Sequence, residues 1–126
     1  HGLLGPNGLV MKYPDLKYGL DERRWSIWNA REKYREAVYG GKLVENIVQW
    51  LSRIVITEQM LRVRRGPGYK VVTTTHDEIV LSVPEGIAEK ACQELVGIMA
   101  TAPAWASDLP LAASGGFGRR YGEIEK

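Results

Sequence analysis

Apolar residues recur with a helical period between residues 41 and 64. The positions that form one face are Leu43, Ile47, Leu51 and Ile54 or Val55. A spacing of i, i+4, i+8 places side chains on one side of an α-helix. Gly66-Pro67-Gly68 follows and stops a helix, because glycine adopts left-handed backbone conformations and proline cannot continue the hydrogen-bond ladder. The pattern therefore predicts an amphipathic helix over 41–64.

A strand pattern follows the helix, over residues 69–83. β-Branched residues dominate both halves of this segment, and Pro84 ends it. His76-Asp77-Glu78 lies between the two halves, where a tight turn usually has Asn-Gly or Asp-Gly. The pattern predicts a β-hairpin that carries three ionisable residues at its turn.

The segments before the helix give weaker patterns. Asn7-Gly8 ahead of an apolar run is a turn-then-strand signal, and we expect a short β-ribbon over residues 5–19. Residues 21–38 are charged and aromatic. They favour either an irregular exposed segment or a short helix, for which Asp21 is a plausible N-cap.

After the hairpin, apolar spacing predicts a second helix over 85–101, and a C-terminal strand and glycine-rich tail over 109–126. The order β, α, ββ, α, β is typical of an α+β fold in which an antiparallel β-sheet is backed by helices. A chain of 126 residues is expected to form one domain, residues 1–126.

Composition adds few constraints. Hydrophobic residues make up 44%, charged residues 25%, and the net charge is +2, which does not by itself indicate a nucleic-acid binder. No apolar run reaches the roughly 18 residues that span a bilayer, and no signal peptide is visible, so a cytoplasmic location is expected. The single cysteine, Cys92, excludes an intramolecular disulfide. The chain does not begin with Met, which favours a fragment or a processed product.

The candidate chemistry lies at the predicted turn. Asp77 and Glu78 place two carboxylates side by side at the tip of a stiff element, and such charges repel unless a cation lies nearby. Mg²⁺ takes oxygen ligands, often one or two carboxylates together with substrate phosphates. Spacing alone favours an ordinary solvated turn, with a metal site as the alternative.

The residues around the turn resemble a known family. Residues 71–80, Val-Val-Thr-Thr-Thr-His-Asp-Glu-Ile-Val, look like the third conserved palm motif (motif C) of family A DNA polymerases, whose core is His-Asp-Glu. Other segments resemble neighbouring parts of phage-type members, in the same order along the chain. Residues 39–49 resemble the helix that precedes this motif, and residues 4–8 with Tyr13-Pro14 resemble the ribbon before that helix. Residues 103–106 and 109–113 resemble the closing segment of the same polymerases. The resemblance covers nearly the whole chain and implies the C-terminal portion of a polymerase palm subdomain.

The resemblance implies a role for each residue of the turn in DNA-directed DNA synthesis. Asp77 would be a ligand of two catalytic Mg²⁺ ions, and Glu78 an auxiliary carboxylate near them. His76 would donate a hydrogen bond to the primer-terminal phosphate or sugar, or would only shape the turn. The expected substrates are primer–template DNA and a dNTP.

The resemblance also implies that the first helix lies along the DNA near the primer terminus. Candidates for phosphate or minor-groove contact are Tyr39, Lys42, Asn46 and Gln49. A solvated face or contacts with neighbouring protein explain Asn46 and Gln49 equally well. Tyr39-Gly40 stands where cellular members carry a glutamine, so the role of that glutamine does not carry over. Trp50 stands where a small residue is usual.

Two parts that family A polymerases need are not found in the sequence: a second palm aspartate and a fingers helix that grips the nucleotide. We therefore expect the chain alone to extend no primer, and expect other polymerase segments, in the same or another chain, as partners. Exposed apolar surface on an isolated fragment favours self-association. The alternative is a small non-catalytic nucleic-acid-binding module or relic, in which Trp25, Trp28 and Tyr34 stack on bases. Core or interface packing of these aromatic residues is favoured over stacking.

Overall fold

The computed structural model describes residues 2–124. The described chain is α+β, with seven strands in three antiparallel sheets and two α-helices. The strands are β1 Gly2–Leu4, β2 Val10–Lys12, β3 Lys17–Gly19, β4 Arg24–Asn29, β5 Tyr34–Val38, β6 Lys70–Thr75 and β7 Glu78–Ser82; the helices are α1 Gly40–Val63 and α2 Ala88–Met99. Contacts divide the chain into two compact units between Ile54 and Val55.

The first sheet is the hairpin β1–β2, in which Leu4 lies opposite Val10. Its turn is closed by the Gly5 amide, which donates to the Leu9 carbonyl, and by the Asn7 side chain, which accepts from the Leu9 amide. Gly8 has φ of 78°, a left-handed conformation that favours glycine. The ribbon expected over 5–19 therefore begins earlier and ends near residue 12.

A three-stranded sheet, ordered β3-β4-β5, contains residues for which the sequence predicted an irregular segment or a short helix. That prediction was wrong: residues 24–29 and 34–38 pair as antiparallel strands, and Asp21 lies in the β3–β4 turn. The β4–β5 turn is stabilised by the Asn29 side chain, which accepts from the amides of Arg31 and Glu32. Lys33 takes a positive φ there, and no glycine marks the turn.

Helix α1 spans Gly40–Val63, one residue from the predicted bound at each end. Trp50, unusual in the resembled family, packs against the β1–β2 hairpin. A Cβ on Gly5 would lie 2.5 Å from the Cη2 atom of Trp50, so the indole fits only against glycine. Trp50 thus occupies the space that a side chain at residue 5 would need.

In the second unit, the end of α1 and helix α2 are linked through a buried amide. Gln59 is 4% exposed, and its Nε2 atom donates to the Met99 carbonyl at 2.9 Å. Trp105 donates its indole N–H to Glu58 at 3.1 Å. These bonds hold the C-terminal end of α2 and the segment after it against α1.

Two further expectations differ from the structure. Helix α2 begins at Ala88, because residues 85–87 form a 3₁₀ turn, and it ends at Met99. No strand forms at 109–113 within the described residues. Pro110 lacks the amide that a ladder needs, and this segment pairs with none of the seven strands. The single sheet expected from the sequence is replaced by three separate sheets.

Candidate metal-binding turn

The β6–β7 hairpin ends in a two-residue turn formed by His76 and Asp77. Thr75 and Glu78 are the last paired residues on either side of it. His76 has φ of 51°, within the left-handed region. Two-residue hairpin turns require such a conformation and usually place glycine or asparagine there. Histidine tolerates it better than most residues, but at a cost that glycine avoids.

The three ionisable residues of the turn have different surroundings. His76 and Asp77 are exposed, whereas Glu78 is half-buried. The next residue, Ile79, is 5% exposed and belongs to the core of this unit. Successive residues of a strand face opposite sides, so Glu78 lies on the face of the hairpin opposite to the buried Ile79. Asp77 is one residue beyond the ladder and projects from the turn.

Glu78 has a partner from a distant part of the sequence. The Tyr121 hydroxyl donates to Oε1 of Glu78 at 2.9 Å, across a separation of 43 residues. Tyr121 begins a 3₁₀ turn that ends at Glu123. Sequence analysis did not find this residue. No local pattern in the sequence indicates this contact, because the two residues are 43 positions apart.

Two anchors hold the segment that carries Tyr121. Arg119 donates from Nη2 and Nε to Oε1 of Glu85, at 2.8 Å and 3.3 Å. Gly115 lies against α2 so closely that a Cβ there would be 2.8 Å from Val96 and 3.1 Å from the sulfur of Cys92. Glu85 lies seven residues after Glu78, in the 3₁₀ turn that follows β7.

The turn offers an oxygen ligand set that is small but chemically suitable for a hard cation. Asp77 and Glu78 are adjacent carboxylates, the ligand type that Mg²⁺ prefers. Within residues 2–124, no group of three or more His, Cys, Asp or Glu side chains is arranged to hold a metal ion. A metal site at this turn would therefore need ligands besides Asp77 and Glu78.

Apart from His76, the candidates for DNA contact lie in the first unit, on α1 and directly before it. Tyr39 is exposed, at 66%. Lys42 is half-buried and forms an ion pair with Glu36 of β5, so its charge is already neutralised. Gln49 donates to Glu45 at 3.1 Å, one turn earlier on α1. Asn46 is half-buried. Tyr39 is thus the candidate with the greatest freedom to reach a ligand.

The aromatic residues of the three-stranded sheet are exposed. Trp25, Trp28 and Tyr34 have exposed fractions of 49%, 40% and 44%. Trp25 lies opposite Tyr18 in the ladder, with ring centroids 5.4 Å apart and planes tilted by 60°. The register places Tyr34 on the same face as Trp25 and Trp28 on the other. Within this unit, these rings are not core residues.

Two basic residues on the face of this sheet that carries Trp28 are paired with one carboxylate. Asp15 forms ion pairs with Lys17 at 3.0 Å and with Arg35 at 2.7 Å. Hydrogen bonds from Lys17 and then from Arg35 lower the pKa of the Asp15 carboxyl below its usual range. Arg35 also donates to the side chain and the carbonyl of Ser26. The charges of Lys17 and Arg35 are therefore partly neutralised by Asp15.

Comparison with known proteins found a viral relative. The chain is 38% identical over 117 residues to the DNA polymerase of Bacillus phage SP02. The match covers 87% of this chain and 18% of that polymerase, so the chain spans less than a fifth of its relative's length. No known family profile matches the chain, and no solved structure matches it. Among residues 2–124, no helix is long and apolar enough to cross a membrane. The chain is thus similar to one segment of a phage DNA polymerase.

Proposed function

We propose that this chain is the C-terminal palm segment of a family A DNA polymerase and supplies part of its catalytic metal site. The observation that carries the proposal is the position of Asp77 at the tip of a β-hairpin, in a segment similar to a phage DNA polymerase. The reaction is templated addition of a deoxynucleotide to a primer 3′ end.

Asp77 is the proposed direct ligand of the metal ions. It is exposed and projects beyond the last ladder pair, so cations and substrate phosphates can approach it. Glu78 is the proposed auxiliary carboxylate, since one of its oxygens already accepts a hydrogen bond from Tyr121. Bound Mg²⁺ would activate the primer hydroxyl and neutralise charge on the transferred phosphoryl group. A second palm aspartate from outside the described residues completes the proposed site.

His76 and Tyr39 are the proposed DNA contacts. His76 is exposed beside Asp77 and can donate a hydrogen bond to a phosphate or sugar of the primer end. Tyr39 directly precedes α1 and is exposed. Asn46, Gln49 and Lys42 remain candidates on α1, although Lys42 must leave Glu36 before it can pair with a phosphate.

A chimera tests the proposal. This chain would replace the matching segment of the phage SP02 polymerase, and extension of a labelled primer would be measured. We expect the chimera to be active and Asp77→Asn to lower its rate by at least about 10²-fold, because several kcal/mol of transition-state stabilisation depend on a metal ligand.

Asp108→Asn is the matched control, since Asp108 is an exposed aspartate of the same unit outside the turn. Asp77→Asn should leave primer–template affinity nearly unchanged. An active chimera that tolerates Asp77→Asn as well as Asp108→Asn would refute the role of the turn. The unmodified 126-residue chain should extend no primer on its own.

A second candidate is a small module that binds single-stranded nucleic acid without catalysis. Exposure of Trp25 and its partner Tyr18 on one face of the sheet favours it, because bases stack on exposed aromatic rings. Quenching of tryptophan fluorescence by oligodeoxythymidine distinguishes the two. The module predicts binding by the chain alone that Trp25→Ala abolishes and Asp77→Asn does not affect.

A further inference from the structure

We propose that residues 115–123 form a clip that positions the Glu78 carboxylate, with Tyr121 as the positioning residue. The proposal rests on the proposed metal-binding role of the turn and adds to it a distant element of the same unit. The contact that carries it is the hydrogen bond from the Tyr121 hydroxyl to Oε1 of Glu78.

The clip is attached at two places before it reaches Glu78. At its start, Gly115 packs against Val96 and Cys92 on α2, with no room for a side chain. Four residues later, Arg119 bonds Glu85 through two of its nitrogen atoms. Arg119 and Glu85 are both exposed, and such surface pairs contribute little stability. The close approach at Gly115 is therefore the main attachment.

The attached clip restrains the side chain of Glu78 through the Tyr121 hydroxyl. Glu78 has rotatable side-chain bonds that the β-ladder does not restrain, whereas Asp77 is shorter and lies on the turn itself. A hydroxyl that donates to one carboxylate oxygen restricts rotation of the group. Removal of a partner that holds a metal ligand in this way commonly lowers metal affinity by about 10- to 100-fold. Because Tyr121 is exposed, an effect of about 10-fold is expected.

The chain supplies a matched control for loss of this hydrogen bond. Tyr69 also donates its hydroxyl to a carboxylate of the same unit, Glu94, at 2.5 Å, and this pair is not part of the turn. Tyr69→Phe and Tyr121→Phe each remove one hydroxyl from a tyrosine–glutamate pair. Only the second should alter the turn.

The first measurement needs no metal. Backbone amide resonances of the 126-residue chain are compared by NMR for the wild type, Glu78→Gln and Tyr121→Phe. Glu78→Gln should shift the amides of Tyr121 and its neighbours, and Tyr121→Phe should shift those of Glu78 and Ile79. If neither substitution affects the other segment, the clip does not exist.

The second measurement is titration with Mn²⁺, followed by loss of the free-ion EPR signal. Tyr121→Phe should weaken binding about 10-fold relative to wild type and Tyr69→Phe, and should have no further effect in Glu78→Gln. Gly115→Val should reproduce the loss, because it pushes the clip off α2 without touching Tyr121. Wild-type affinity in Tyr121→Phe would overturn the proposal, whatever the result for Gly115→Val.

The two measurements separate failure of the clip from failure of the proposed function. If Asp77→Asn abolishes Mn²⁺ binding while Tyr121→Phe does not weaken it, the metal site stands and the clip is wrong. If wild type binds no Mn²⁺, the metal-binding role of the isolated turn is wrong. The NMR comparison then decides by itself whether Tyr121 positions Glu78.

Discussion

Substitution of Gly5 by alanine tests how Trp50 shapes the first unit. Gly5 has no positive φ, so alanine is compatible with its backbone. The added Cβ would nevertheless lie 2.5 Å from Cη2 and 2.7 Å from Cζ2 of Trp50, distances that real Cβ atoms essentially never show. The indole or the β1–β2 hairpin must move. The Oδ1 atom of Asn7 would lie 3.1 Å from the same Cβ, which is a smaller crowding, so most of the effect depends on Trp50.

The magnitude follows from two opposing terms. Overpacking of this kind costs about 1–3 kcal/mol. Replacing glycine by alanine at a compatible position stabilises by about 0.4–1 kcal/mol, because the unfolded chain has less freedom to lose. We therefore expect Gly5→Ala to destabilise the protein by about 1–2 kcal/mol. In a Trp50→Ala background the clash with the indole is gone and only the 3.1 Å approach to Asn7 Oδ1 remains. The same substitution should then be close to neutral, because this crowding opposes a gain of about 0.4–1 kcal/mol.

Urea unfolding of the four proteins in this double-mutant cycle is the assay, with fluorescence and circular dichroism as separate probes because the chain has two compact units. Gly40→Ala is the matched control: no atom lies within 4 Å of a Cβ at Gly40, which begins α1, so this substitution should stabilise. Equal effects of Gly5→Ala with and without Trp50 would show that the indole does not occupy this position.

Three further outcomes are expected. His76→Gly should be more stable than His76→Ala by about 0.5–1 kcal/mol in urea unfolding, because His76 has a positive φ; the order should reverse at Asp108, which has no positive φ. Gln59→Leu should destabilise by about 1–3 kcal/mol, measured in the same way, because the Met99 carbonyl loses its buried donor; an effect no larger than that of Gln49→Leu would contradict this. Asp15 has a lowered pKa in the folded state, so its stabilising effect is present above the unfolded pKa of about 3.9 and is lost as pH falls through the folded pKa. The stabilities of wild type and Asp15→Asn should differ near pH 6 and converge as pH falls below the folded pKa of Asp15; a constant difference would refute the pairing of Asp15 with Lys17 and Arg35.

Local patterns predicted the parts of the fold that local chemistry decides. The period of Leu43, Ile47 and Leu51 indicated α1, and Gly66 with its neighbours marked its end within a few residues. The β-branched run before His76 indicated the hairpin. In these cases a single strong signal extends over several residues, and the structure follows it.

The three-stranded sheet could not be predicted by the same means. Its turns contain Arg23 and Lys33 at positive φ, where the sequence offers no glycine, and its exposed faces carry charges and tryptophans rather than a regular alternation. Strand pairing here depends on cross-strand contacts such as that between Tyr18 and Trp25. Such contacts exist only after the register is set, so propensity within one segment does not reveal them.

In the candidate site, too, neighbours in the sequence were predictable and a distant contact was not. His76, Asp77 and Glu78 are adjacent in sequence, and their position at a turn followed from the strands beside them. Tyr121 contacts Glu78 across 43 residues, in a segment whose Gly115 fits closely against α2. A glycine-rich tail gives no sign of what it packs against, since the same composition is typical of flexible segments.

The unequal surroundings of the two carboxylates bear on their proposed roles. A direct ligand of an incoming ion must be accessible and must be placed by the backbone rather than by a long side chain. Asp77 meets both conditions, because it is exposed, short and held in a two-residue turn closed by Thr75 and Glu78. Glu78 is half-buried, and its carboxylate lies at the end of a longer side chain that Tyr121 holds, so it is less suited to be the direct ligand. Substitution of Asp77 should therefore reduce metal binding more than substitution of Glu78, and the reverse order in the Mn²⁺ titration would exchange their roles.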